Sequence, residues 1–169
     1  RGALWGAGGL RDARPDRLPG LATGLEAPRL AGMTRVEEAA ADLWALGLSP
    51  GTHPTEFSRE MLRNRGAVTV STLPTLVHGS VVEVGGVVTH RQRPSTAKGI
   101  IFLSLEDETG LLNVICSKGV WRRYRPVARL APAVVVRGVL ERHQGVVTVV
   151  AQRFETLTTT LAPRSRDFR

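Results

Sequence analysis

Residues 80–116 read SVVEVGGVVTHRQRPSTAKGIIFLSLEDETGLLNVIC, and here the hydrophobic period becomes two. Val82, Val84 and Val88 alternate with Glu83, Gly85 and Thr89, the pattern of a strand with one buried face. Gly85 and Gly86 in mid-strand predict a bulge or tight bend. A polar basic loop follows over residues 91–99, then a strand over 100–105, a turn over 107–110 and a third strand over 111–116.

Working outward, residues 118–129 read as a helix whose second half is limited by Pro126. Trp121 and Tyr124, three apart on that helix, are placed to cap a barrel core. Residues 133–141 and 146–154 are two further strands, joined by a tight hairpin at His143, Gln144 and Gly145. Three strands, a helix and two strands is the order of a five-stranded oligonucleotide-binding (OB) barrel. The fold class expected is therefore mainly β with flanking helices, the barrel occupying residues 80–157.

Upstream, Thr34 and Glu37 have the spacing of a capping box. Val36, Ala39, Ala40, Leu43 and Leu46 then repeat at helical intervals, with Gly47 and Pro50 to end the helix. A second helix is expected around Phe57, Met61 and Leu62, with Pro54 in its first turn and Gly66 as its stop. Residues 68–77 read as an extended connector interrupted by Pro74. Residues 33–79 thus form a helical connector. Residues 10–32, with three prolines and no apolar period, read as a flexible linker. Residues 1–9 read as the end of a helix, and residues 158–169 as a basic, frayed tail. A start at Arg1, without Met and inside a helix-like run, reads as a piece of something longer.

Charge is unevenly placed. The chain of 169 residues carries a net +8. From Ser80 onward there are 14 Arg and Lys against 7 Asp and Glu; before it the count is 9 against 8. The excess lies in the barrel, where a polyanion-binding surface needs it. Of 23 basic residues 21 are Arg, which a GC-rich genome alone also favours. Only 5% of residues are aromatic, which limits base stacking.

Candidate ligand contacts follow from position. The loop between the first two strands borders the binding face of such barrels. Arg91, Arg93 and Lys98 are placed to contact phosphates, and Ser95 and Thr96 to add neutral hydrogen bonds. With Ile101, Leu103 and Leu105 inward, Phe102 points outward as a stacking platform; packing against the helical segment is the alternative. Asn113, outward by the same parity, either reads a base edge or ties down the turn. Arg137, with Arg153, either extends a basic track or decorates a solvent face. Arg122, Arg123 and Arg125 are read as solvated or partner-facing.

Catalytic signatures are missing. The four histidines have no metal-ligand spacing, and no carboxylates are paired as two-metal chemistry requires. Glu106, Asp107 and Glu108 read as turn caps. No phosphate-cradling loop or nucleophile elbow occurs. Cys116 is the one cysteine, so internal disulfides and thiolate metal clusters are excluded, as suits a reducing cytoplasm. No membrane-length apolar run and no signal peptide is visible.

Residues 91–115, RQRPSTAKGIIFLSLEDETGLLNVI, closely resemble the C-terminal OB domain of bacterial C-family DNA polymerases, the DNA polymerase III alpha subunits. Within that family they look most like the error-prone, damage-inducible branch. Residues 46–59, LGLSPGTHPTEFSR, resemble the stretch that precedes that domain. Residues 1–8, RGALWGAG, resemble the end of its helix-hairpin-helix region. The resemblance implies a parent enzyme that extends DNA opposite lesions with Mg²⁺ held by aspartates upstream of Arg1, so no cofactor is expected here. It implies that this part holds single-stranded template DNA beside the polymerase body. It further implies accessory proteins of translesion synthesis, or the sliding clamp, as partners. The F-x-x-L-E-D-x-T-G element is also similar to anticodon-binding OB domains of class II aminoacyl-tRNA synthetases, in which the matching aromatic stacks on a base, and this adds weight to Phe102. A protein-docking OB module and an anticodon-type RNA binder are the competing expectations.

Overall fold

A computed structural model describes residues 32–46, 52–97, 99–158 and 166–168. Its elements are helix α1 (Arg35–Leu46), a 3₁₀ turn (Pro54–Ser58), α2 (Arg59–Asn64), a second 3₁₀ turn (Val70–Thr75) and strand β1 (Val81–Gln92). A third 3₁₀ turn (Ser95–Ala97), β2 (Ile101–Asp107), β3 (Gly110–Cys116), α3 (Lys118–Arg123) and α4 (Arg125–Leu130) follow. The chain continues with β4 (Ala133–His143), β5 (Val146–Thr156) and β6 (Arg166–Phe168).

The long strand β1 serves two neighbours. Its first half pairs antiparallel with β4, from Val81↔Val139 to Val87↔Ala133. Its second half pairs with β2, from Val87↔Glu106 to Gln92↔Phe102. β2 and β3 form a hairpin, β3 runs parallel to β5, and β5 returns along β4. The ring of five strands closes as expected, which removes the unpaired edges of an open sheet.

The bend in β1 falls later than the glycines suggest. Its register shifts between Val88 and His90. Gly85 and Gly86 instead permit close approach. A Cβ on Gly85 would lie 2.4 Å from Leu62 Cδ2, and one on Gly86 would lie 2.7 Å from the Glu106 carbonyl oxygen. Alternation fills the interior: Val84, Val88, Leu103, Leu105, Val114, Val136, Leu140, Val149 and Phe154 are all buried. Each contributes roughly 1.5–3 kcal/mol of burial.

The single helix expected over residues 118–129 is two short ones broken at Tyr124, because Pro126 begins a new first turn, where its missing N–H is harmless. Trp121, Tyr124 and Val127 pack against the barrel. The Tyr124 ring lies 6.4 Å from that of Phe154. The tail also differs from expectation, since residues 166–168 pair in parallel with His90–Gln92 of β1.

Residues from His53 onward are fastened to the barrel, across the boundary placed at Ser80. Arg59 donates to both Glu108 carboxylate oxygens and, at 3.1 Å, to Asp107 Oδ2. Thr55 Oγ1 donates to Glu108 Oε2 at 2.6 Å. The connector over 68–77 is a 3₁₀ turn rather than an extended run. Val68 bridges to Val84, Leu73 enters the core, and the Val70 N–H donates to Asp107 Oδ2 at 2.9 Å. The α1 helix matches its expected span, while the readings for residues 1–31 and for Gly47 and Pro50 lie outside the described residues.

Candidate nucleic-acid interface

Side-chain parity gives the outer face of β2 and β3 its character. Ile101, Leu103 and Leu105 turn inward, leaving Phe102 and Ser104 half-buried outside. On β3, Asn113 is exposed and Ile115 half-buried. Cross-strand pairing then assembles the patch: Gln92 lies opposite Phe102, Phe102 opposite Ile115, and Ser104 opposite Asn113. The parallel β3–β5 contact adds Thr148 beside Asn113. These six residues line one open depression of about 270 Å³.

The lining is uncharged. Phe102 and Ile115 offer an apolar floor, and an aromatic face there suits base stacking. Gln92, Ser104, Asn113 and Thr148 each offer both a donor and an acceptor, the equipment for reading base edges or sugar hydroxyls. One cation, Arg93, follows Gln92 of the lining directly, and it is exposed together with the neutral Ser95 and Thr96 in the segment that links β1 to β2. Lys98, expected beside them, lies outside the described residues.

Two expected contacts are placed elsewhere. Arg91 belongs to β1, not to the loop, and is 6% exposed. Its Nε donates to the Ala128 carbonyl at 2.9 Å and its Nη2 to the Ala131 carbonyl. The guanidinium thus ties the end of α4 to the barrel. Arg137 is exposed but pairs with Glu83 at the opposite end of β1 from Gln92. Around it Arg65 bridges Glu83 at 3.0 Å and Glu155 at 2.7 Å, and Arg153 reaches Glu155 at 2.8 Å. This is a surface ion-pair lattice, separate from the Phe102 face.

Four lining residues were not singled out from sequence. Ser104 and Ile115 follow from the parity that placed Phe102 and Asn113 outward. Gln92 was hidden by reading the strand as ending before Arg91. Thr148 depends on barrel closure through β3 and β5, which no local pattern encodes.

The other reactive groups are engaged. Asp107 Oδ1 accepts from the Thr109 N–H, its hydroxyl and the Gly110 N–H, so Asp107 caps the turn backbone as expected, whereas Glu108 accepts from the Arg59 and Thr55 side chains. Burial alone would raise the Glu108 carboxyl, but hydrogen bonds from Arg59 and Thr55 outweigh it and lower its pKa to about 2. Burial pushes the Cys116 thiol up to about 12, which makes it inert. No grouping of three or more potential metal ligands occurs among the described residues. No helix there is long and apolar enough to cross a membrane.

Residues 74–157 match the family described as OB-fold nucleic acid binding domain, and barrel and face together define the chain as carrying such a domain. The chain as a whole is a relative of the bacterial error-prone DNA polymerases. It is 50% identical over 169 residues to the error-prone DNA polymerase of Mycolicibacterium paratuberculosis, covering 100% of this chain and 16% of that protein. For those of Nocardia farcinica and Mycobacterium tuberculosis the identities are 50% and 48%, again over the whole chain, with 15% of each relative covered. The chain therefore spans about one-sixth of the length of its relatives.

Proposed function

We propose that this chain holds single-stranded template DNA for a bacterial error-prone DNA polymerase in the cytoplasm, with its bases over Phe102 and its phosphates along the Arg93 rim. The observation that carries the proposal is the depression itself. One half-exposed aromatic ring is surrounded by four neutral donor–acceptor side chains, with exposed Arg93, Ser95 and Thr96 in the adjoining segment. A neutral floor with a cationic rim suits sequence-tolerant binding, because stacking accepts any base and phosphates are met at the edge.

The Mg²⁺ of polymerase chemistry has no fitting donor set among the described residues. The carboxylates of Asp107 and Glu108 are taken up by Arg59, Thr55 and Thr109. The role proposed here is to hold DNA, and nucleotide addition is left to the rest of the polymerase.

Fluorescence-anisotropy titration of the chain with labelled single-stranded DNA, repeated at several salt concentrations, tests the reading. Binding that weakens steeply with salt is expected. A folded sample that ignores single-stranded DNA even at low salt would sink it and point to docking of an accessory protein or the sliding clamp. Preference for a structured RNA would point to the anticodon-type role instead.

A further inference from the structure

A second cationic surface lies next to the first. Residues 109–140 contain no Asp or Glu. Within them Lys118, Arg122, Arg123, Arg125 and Arg129, all exposed, decorate α3 and α4. Arg123 is stacked over the Tyr124 ring, 5.6 Å from its centroid. None of the ion pairs among the described residues uses any of the other four. The cations around Arg65 and Arg153, by contrast, are spent on Glu83 and Glu155.

The ridge adjoins the candidate interface. Gly99, in the segment that carries Arg93, packs on the first residue of α3: a Cβ placed there would lie 3.4 Å from Lys118 Cδ. Strand β3, which supplies Asn113 and Ile115 to the depression, runs on into α3. The ridge is also firmly mounted. Arg91 clamps the Ala128 and Ala131 carbonyls to β1, and Ala128 is fully buried.

Uncompensated cations on a fixed support, continuous with a nucleic-acid face, match a phosphate backbone. A free polyanion would release counterions on meeting them. We infer that a single strand leaving the Phe102 face continues over α3 and α4, with its phosphates against Lys118, Arg122, Arg125 and Arg129. This rests on the reading of the face as a single-strand site and extends that site onto the helices.

The test compares the chain with an R122Q/R129Q variant, using labelled oligothymidylates from about 6 to about 24 nucleotides, a range set by the site sizes of OB folds. An R63Q/R153Q variant, with the same change in net charge away from the ridge, is the control. Circular dichroism verifies that all three are folded. On short strands the three should bind alike. On long strands R122Q/R129Q should bind more weakly and lose about 1.4 from its salt slope, roughly 0.7 per phosphate contact, while R63Q/R153Q keeps the full slope. Equal affinity and slope for ridge variant and control at every length would overturn the inference. A full deficit already on the shortest strand would also overturn it, since the ridge would then be no extension. Loss of all short-strand binding, with the long-strand deficit of R122Q/R129Q intact, would sink the Phe102 face and leave the ridge standing.

Discussion

The β2–β3 hairpin has two ends of opposite character. At its turn, Asp107 and Glu108 are enclosed by Arg59, Thr55 and the Val70 N–H, and charge is used to hold the chain together. Toward its other end, Phe102, Ser104, Asn113 and Ile115 carry no charge and face an open depression. Charge buried with its partner supports the fold, and charge left at the rim and on the α3–α4 ridge is available to a ligand. On the proposed reading the same residue type does both jobs in this domain, and only its surroundings decide which.

Breaking the closed end should have the largest effect. Arg59→Ala leaves Asp107, whose side chain is 0% exposed, and Glu108 without their cation. We expect a loss of about 3–5 kcal/mol in urea unfolding, typical of removing one partner from a buried pair. An unchanged midpoint would show that the closed end is as dispensable as a surface salt bridge. The open end should respond the opposite way. Phe102→Ala should weaken single-strand binding by about 1–3 kcal/mol, the usual worth of a base–aromatic stack, and leave the unfolding midpoint nearly unmoved. A lost midpoint with unchanged binding would make Phe102 a packing residue and erase the contrast.

Arg91 and Arg93 sharpen the comparison within three residues of sequence. Arg91→Met should lower stability by about 1–3 kcal/mol through the carbonyls it strands, with no change in salt slope. Arg93→Gln should leave the melt alone and reduce the slope by about 0.7. The smallest effect near neutrality is that of pH. The Glu108 pKa in the folded chain lies below the ordinary 4.5, at about 2. Its stabilisation is therefore complete above pH 4.5 and is lost as pH falls toward 2. Thermal melts should show Glu108→Gln weakening this acid dependence, whereas Asn113→Ala leaves it intact.

Much of this was legible in the chain. Alternation is cleanest in β2 and β3, each with one face in the core, and it placed Phe102 and Asn113 outside. β1 and β4 were legible instead as valine-rich runs, buried on both faces over residues 84–88 and 133–136. Arg91 was misread because a guanidinium buried on two carbonyls looks, in sequence, like any cation beside a loop. The two readings of Arg137 could not be separated in sequence, because strand parity says which side faces out but not which end of the barrel is reached. The closed end was invisible for another reason. Arg59 and Glu108 are 49 residues apart, and neither local period nor propensity registers such a contact. Thr148 escaped on the same ground.

The short strand β6 has a consequence for solubility. Beyond Val87, β1 leaves β4, and the backbone there would present unused hydrogen-bonding groups to any passing extended chain. Residues 166–168 occupy that position along His90–Gln92. A bare strand edge is a template for edge-to-edge association, and by pairing there residues 166–168 cover that stretch of edge with the chain's own backbone.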